Sequence, residues 1–226
     1  MRPRKDRNIK NVIYFSADST QYAQIELSSI KSIVKNSNIN IQFVVGEGFS
    51  VDRLYDEYDN KKWDVIYVST HYNYTHYEPH SGELILSDDK KVCLSELLKK
   101  NVPCYHRRML FLNVCDGATS AYYGGLARFG MAGLLTKNNQ AVVSHLWPIN
   151  NLMAAVYASI FFANITKDIG MFELYRKTKR VIAGGKEQVL EFLKNHKGVD
   201  NLIERLENQK VECGEYVNSG SLAFYE

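Results

Sequence analysis

The chain reads as a single α/β domain with a mostly parallel sheet and helices on both of its faces. The order of elements predicts this first: short apolar runs of strand length alternate with segments of helical periodicity, beginning strand, helix, strand, helix, strand. The runs themselves are the second observation. Val65–Ser69 and Met109–Val114 are apolar at nearly every position, as strands covered on both faces are. Third, 226 residues with 45% apolar content suffice for one large core. Residues 1–8 read as a basic flexible tail. Residues 9–226 read as one domain, with the helices from about 186 peripheral to it.

Each element has its own signal. Asn11–Ala17 is a short β-rich run. Ile25, Ile30, Ile33 and Val34 recur at helical intervals over residues 25–36. Ile39–Val45 is the second strand, and Gly46 and Gly48 mark the turn beyond it. Ser50 caps a helix over residues 51–63, with Asp52 in its first turn. Val65–Ser69 is the third strand. Residues 71–89 lack helical periodicity, and Pro79, Gly82 and the run Glu83–Leu86 suggest a loop with a small hairpin. Residues 94–101 read as a helix and Met109–Val114 as the fourth strand. A helix rich in small residues is expected within residues 122–138. Ala141–Trp147 is the fifth strand, ended by Pro148.

Residues 151–165 are helical, with Asn150 or Asn151 as cap. A further helix over residues 171–184 stops at Gly184 and Gly185. One or two amphipathic helices follow, and from Val211 the tail is irregular or a short strand.

Composition excludes several classes. The longest apolar stretch, Leu152–Ile165, is too short to span a bilayer and contains Asn164. No apolar leader precedes the first strand, so the cytoplasm is the expected compartment and no membrane contact is expected. The net charge of +3 is weak, and Arg2, Arg4, Lys5 and Arg7 read as a solvated tail rather than a nucleic-acid contact. Lys90, Lys91, Lys99 and Lys100 read as solvent faces. Cys93, Cys104, Cys115 and Cys213 form no C-x-x-C pair and no zinc pattern, which fits free thiols. The first strand runs into YFSADSTQY, which is no phosphate-binding glycine loop, and this weighs against a nucleotide-binding α/β protein.

Two of the strands carry the chemistry. One apolar run leads to His71 and another to Cys115, and in open α/β sheets the site lies beyond the carboxyl ends of the strands. A thiol near an imidazole makes a nucleophile and base. The Cys115 N–H is a candidate oxyanion donor, and Gly117 leaves room for a substrate backbone. Asp116 is too close in sequence to Cys115 to orient His71. By spacing alone structural roles for the two residues are favoured over a catalytic pair.

His71, His76 and His80 share a loop but have no acidic or cysteine partner at convincing spacing, so no metal is assigned. His145 reads as structural or as a groove-side polar group, and His106 and His196 as surface residues. Cys93 and Cys213 read as small buried hydrophobes.

Four ordered blocks add to this: DVIYVSTHY, SGELILSD, LFLNVCDGATS and GLARFGMAGLLTKNNQAVVSHLWPINN. Together, from Val12 to Gly185, they resemble the CHAT domain, a branch of the caspase-like peptidases related to caspases, metacaspases, legumains and separase. The resemblance implies a caspase-like three-layer sandwich. It implies a cofactor-free Cys-His dyad endopeptidase with His71 as base, Cys115 as nucleophile and a backbone oxyanion hole near Tyr72 and Cys115. It also implies a protein substrate and a regulatory protein or sensor module, in bacterial defence or programmed death.

There are departures. The family usually has glycine after the histidine, where this chain has Tyr72, whose side chain must leave the groove or cover it. The residue two before the cysteine lines the pocket for the substrate's P1 side chain in related peptidases, and here it is Asn113. The loop after the Leu-Trp strand offers Asn150 and Asn151 where relatives that prefer basic P1 residues have acidic groups. The pocket is therefore expected to be neutral or small and polar, with Asp116 as a possible acidic contributor and Trp147 as a candidate groove wall. A catalytically silent scaffold that binds a partner through the same groove is the alternative, favoured by Tyr72.

Overall fold

The apolar runs assemble into one six-stranded sheet in a computed structural model that describes residues 8–17, 22–73, 81–87, 90–102, 106–119, 121–123, 126–128, 130–137, 139–167 and 169–226. Its strands are β1 (Asn11–Ser16), β2 (Asn40–Val45), β3 (Val65–Ser69), β7 (Arg108–Asn113), β10 (Gln140–His145) and β11 (Leu222–Tyr225). Across the sheet they run β11-β10-β7-β3-β1-β2, and only β11 is antiparallel to its neighbour.

Alternation of side chains explains why nearly every strand position is apolar. Val12, Tyr14, Val65, Tyr67, Met109, Phe111 and Val143 face one core. Ile13, Phe15, Ile66, Val68, Leu110, Leu112 and Val142 face the other. Helices α1 (Ala23–Val34) and α5 (Asn151–Ile165) cover the first face, and α6 (Met171–Ala183) packs outside α5. Helices α2 (Val51–Asp59), α3 (Leu94–Lys99) and α4 (Met131–Leu135) cover the second. The result is a three-layer α/β sandwich. Helix α5 is buried almost all round, as its unbroken apolar sequence requires.

On the α1–α5 face the strands build an aromatic row. Tyr14, Tyr67 and Phe111 occupy one register rung, with ring centroids 5.2 Å apart for Tyr14–Tyr67 and 4.9 Å for Tyr67–Phe111. Phe161 and Phe162 of α5 close over them.

Several expectations change. Residues 71–73 form a strand, β4 (His71–Asn73), paired with β5 (Glu83–Ser87), which pairs in turn with β6 (Lys90–Cys93). The helix expected within residues 122–138 is reduced to α4. Before it, β8 (Ala121–Tyr123) and β9 (Leu126–Arg128) form a hairpin, since the aromatic pair favours extended backbone and the Gly-Gly sequence that follows is a hairpin signal. Helix α2 ends at Asp59, short of Trp63, whose ring is buried and donates to Glu57 at 2.6 Å.

The C-terminal helices α7 (Gly185–Lys194) and α8 (Asp200–Asn208) are integral rather than peripheral: Val189, Leu193, Leu202 and Leu206 are buried in the same core as α5. The tail forms a short helix α9 (Tyr216–Ser219) and the edge strand β11. No helix among the described residues is long and apolar enough to cross a membrane. The basic segment 1–7, Cys104, His76 and His80 lie outside the described residues.

Candidate active site

Strand register brings the two chemical residues together. β3 and β7 are neighbours and parallel, with Ser69 opposite Asn113. His71 and Cys115 each follow that rung by two residues, so both emerge at the same end of adjacent strands, which lie about 4.8 Å apart. His71 is exposed at the start of β4, and Cys115 is half-buried. Both line a small, partly open cleft whose walls also include Tyr22, Glu26, Ser69, Thr70, Asn113, Val114, Ile149, Asn151 and Ala154. The Cys115 Sγ lies 3.9 Å from the carbonyl oxygen of Ile149, towards which its thiol is directed.

The loop after Cys115 is tightly fixed. Asp116 has φ of 57°, a left-handed conformation that Asp tolerates better than most residues. The Ala118 N–H donates to the His145 carbonyl at 2.8 Å, and the Thr119 hydroxyl donates to Leu146. The Asp116 carboxylate accepts from that same hydroxyl at 3.2 Å. Among the described residues the Cys115 N–H donates to no backbone carbonyl.

The other expected site residues divide. Asn113 and Asn151 line the cleft. Asn150, not Asn151, caps α5, accepting from the Leu152 N–H at 2.8 Å. Tyr72 does not line the cleft. Its side chain turns into the opposite core, opposite Leu84 in the β4–β5 pair, and its hydroxyl lies against Gly82, where a Cβ would overlap it. Alternation along β4, with His71 exposed and Tyr72 buried, produces this division.

Gly117 is also explained by packing. A Cβ there would overlap Ser144 Oγ and come within 2.7 Å of Val114 Cγ2. Glycine thus lets the loop close onto β10, a different reason from room for substrate. Trp147 does not line the cleft. Its indole N–H donates to the Val217 carbonyl at 2.6 Å and its ring meets Tyr216 at 5.2 Å, which ties it to α9.

Behind the cleft lies a buried polar network that local sequence pattern does not reveal. Asn113 donates to Glu26 Oε2 and to the Ala154 carbonyl, each at 3.2 Å, and faces His145 Nε2 at 3.0 Å through its Oδ1. That geometry puts the imidazole proton on Nε2 and leaves Nδ1 facing the Ser221 hydroxyl, 3.1 Å away. The Tyr14 hydroxyl donates to Glu26 Oε1 at 2.9 Å. Burial pushes the Glu26 carboxyl up to about 7, against donation from Tyr14, Ser69, Tyr67 and Asn113. Burial pushes His145 down to about 3, so it is neutral at physiological pH.

The cleft wall therefore includes a carboxyl group. Its sequence signal was Glu26 standing on the buried stripe of α1 with Ala23, Leu27, Ile30 and Val34. His145 is structural, as expected. His106 is not a surface residue: its side chain is half-buried between Asp64 Oδ1, at 3.5 Å, and the Trp63 carbonyl.

A parallel α/β sheet with a thiol and an imidazole at the carboxyl ends of adjacent strands defines the caspase-like class. The CHAT domain model matches residues 3–201, and the chain belongs to the CHAT domain family. Among solved structures the chain is similar to the Saccharomyces cerevisiae separase–securin complex at 2.6 Å resolution, with 14% identity and a TM-score of 0.51, covering 100% of this chain and 12% of that one. A second structure of that complex, at 3.0 Å, matches with 16% identity, a TM-score of 0.49 and the same coverages. The chain thus spans about 12% of the length of the matched chains, and the likeness bears on fold alone. A comparison with curated proteins finds no match.

Proposed function

We propose that this chain is a cysteine endopeptidase that hydrolyses a peptide bond in a protein substrate. The observation that carries this reading is the shared cleft of His71 and Cys115, each two residues beyond the paired Ser69 and Asn113. In the proposed reaction the Cys115 thiol gives its proton to the imidazole as sulfur attacks the scissile carbonyl. The oxyanion takes a hydrogen bond from the Cys115 N–H and, following the family pattern, from backbone near Tyr72. Collapse forms a thioester and breaks the C–N bond, while His71 returns the proton to the leaving amine. Water, deprotonated by His71, then hydrolyses the thioester and regenerates the thiol.

In this reading Asn113 and Asn151 shape the pocket. Membership of the family and the fold shared with separase support regulation by a protein partner or sensor module, in bacterial defence or programmed death. The cytoplasm is the proposed compartment. A silent scaffold is the second reading, favoured by the thiol's approach to the Ile149 carbonyl. The burial of the Tyr72 side chain in the opposite core weighs against it.

The test is labelling with a peptide bearing a thiol-directed electrophile. Label on Cys115 that is lost in Cys115→Ala and sharply slowed in His71→Ala supports the dyad. Label undiminished by His71→Ala excludes it, and absence of label with and without a partner supports the scaffold.

A further inference from the structure

Glu26 is the one carboxyl group among the described residues that line the cleft. Its hydrogen-bond donors are all neutral, Tyr14, Tyr67, Ser69 and Asn113, and none of the ion pairs among the described residues includes it. A buried carboxylate without a cation is expensive to hold in a fold, and such groups usually have a counter-charge. Glu26 is buried, yet it forms part of the cleft wall beside Asn113. The cleft's other walls are suited to an alkyl chain, with Val114, Ile149 and Ala154 beside the ring of Tyr22.

We propose that the cleft receives a substrate side chain ending in a cation, arginine or lysine, and that Glu26 is the specificity-determining residue that binds it. This rests on the endopeptidase reading and places that side chain on the residue whose carbonyl Cys115 attacks. Burial holds the Glu26 carboxyl up at about 7. An arriving cation favours the carboxylate, so binding near neutral pH releases the proton to solvent. The hydroxyls around Glu26 rotate and remain as neutral donors once the cation is in place.

The test compares two peptides that differ only at the residue before the scissile bond, arginine in one and citrulline, its neutral isostere, in the other. Both are bound to Cys115→Ala protein, which cannot form the thioester. Arginine is expected to bind at least ~10-fold tighter, and the preference to fall to about 2-fold or less in Cys115→Ala/Glu26→Gln. Equal binding of the two peptides, or a preference that survives Glu26→Gln, overturns the proposal.

Where Glu26→Gln does not fold, the same pair is compared at about pH 6 and about pH 8 in Cys115→Ala/His71→Ala protein. The groups facing Glu26 are then the Tyr14 and Tyr67 hydroxyls, raised well above their ordinary value, and His145 behind Asn113, neutral over this range. The arginine preference is expected to rise with pH, and a flat preference overturns the proposal. Cleavage by the unmodified protein is followed in parallel. Selective binding without cleavage supports the pocket assignment and overturns the peptidase reading, whereas cleavage without arginine preference does the reverse.

Discussion

Glu26 and His145 lie on opposite sides of one side-chain amide. Asn113 donates to the carboxylate at 3.2 Å and accepts from the imidazole at 3.0 Å. The first of these groups has its proton affinity raised by burial, and the second has it lowered. Both are buried at the end of the sheet from which Cys115 and His71 emerge.

Opposite pH slopes of stability follow. Glu26 rises from 4.5 to about 7 on folding, so the folded chain binds more protons between those values and this stabilisation is lost as pH rises through them. His145 falls from 6.5 to about 3, so the unfolded chain binds more protons there, and its stabilisation is lost as pH falls. Each slope is about 1.4 kcal/mol per pH unit, and they offset one another between about pH 4.5 and 6.5. Glu26→Gln is expected to make stability fall on acidification through that window, and His145→Gln to make it fall on alkalinisation. Urea unfolding at several pH values reads both, and parallel profiles for the two variants would refute the assignment.

Tyr72 is a core residue in this chain. Tyr72→Ala is expected to cost about 3–5 kcal/mol, the range for emptying a buried aromatic site. Thermal melting measures it. Labelling of Cys115 in the fraction that stays folded is expected to match wild type, because the ring does not line the cleft.

Gly117→Ala is expected to destabilise by about 1–3 kcal/mol through overlap with Ser144 and Val114. Adding Ser144→Ala removes the closer of the two contacts and is expected to recover part of the loss. Denaturant midpoints of the single and double variants decide this; no recovery would place the strain elsewhere.

Trp147→Phe removes the indole donor to the Val217 carbonyl while keeping a ring against Tyr216. A loss of about 1 kcal/mol is expected, with faster amide hydrogen exchange confined to α9 and the start of β11. Peptide binding in the cleft is expected to be unchanged.

Much of the sheet and part of the site were legible because strand side chains repeat every second residue. Tyr67-x-Ser69-x-His71, Phe111-x-Asn113-x-Cys115 and Val143-x-His145-x-Trp147 each pass from the apolar core, through a buried polar position, to the sheet's edge. A local pattern therefore carried the strands and the placement of His71 and Cys115. The hairpin at β8–β9 was less legible, because small residues suit both a close-packed helix and a turn.

By itself the sequence determined the apolar alternation, the parallel α/β class and which side chains stand at strand ends, because these depend on neighbours a few residues away. Tertiary structure alone decided that Ser69 pairs with Asn113, that Tyr72 leaves the cleft and that Trp147 is bound to α9. It also brought Glu26 to Asn113 across 87 positions of chain. Register, burial and proton affinity are set by groups distant in sequence, and their energies exist only once packing has excluded water from between them.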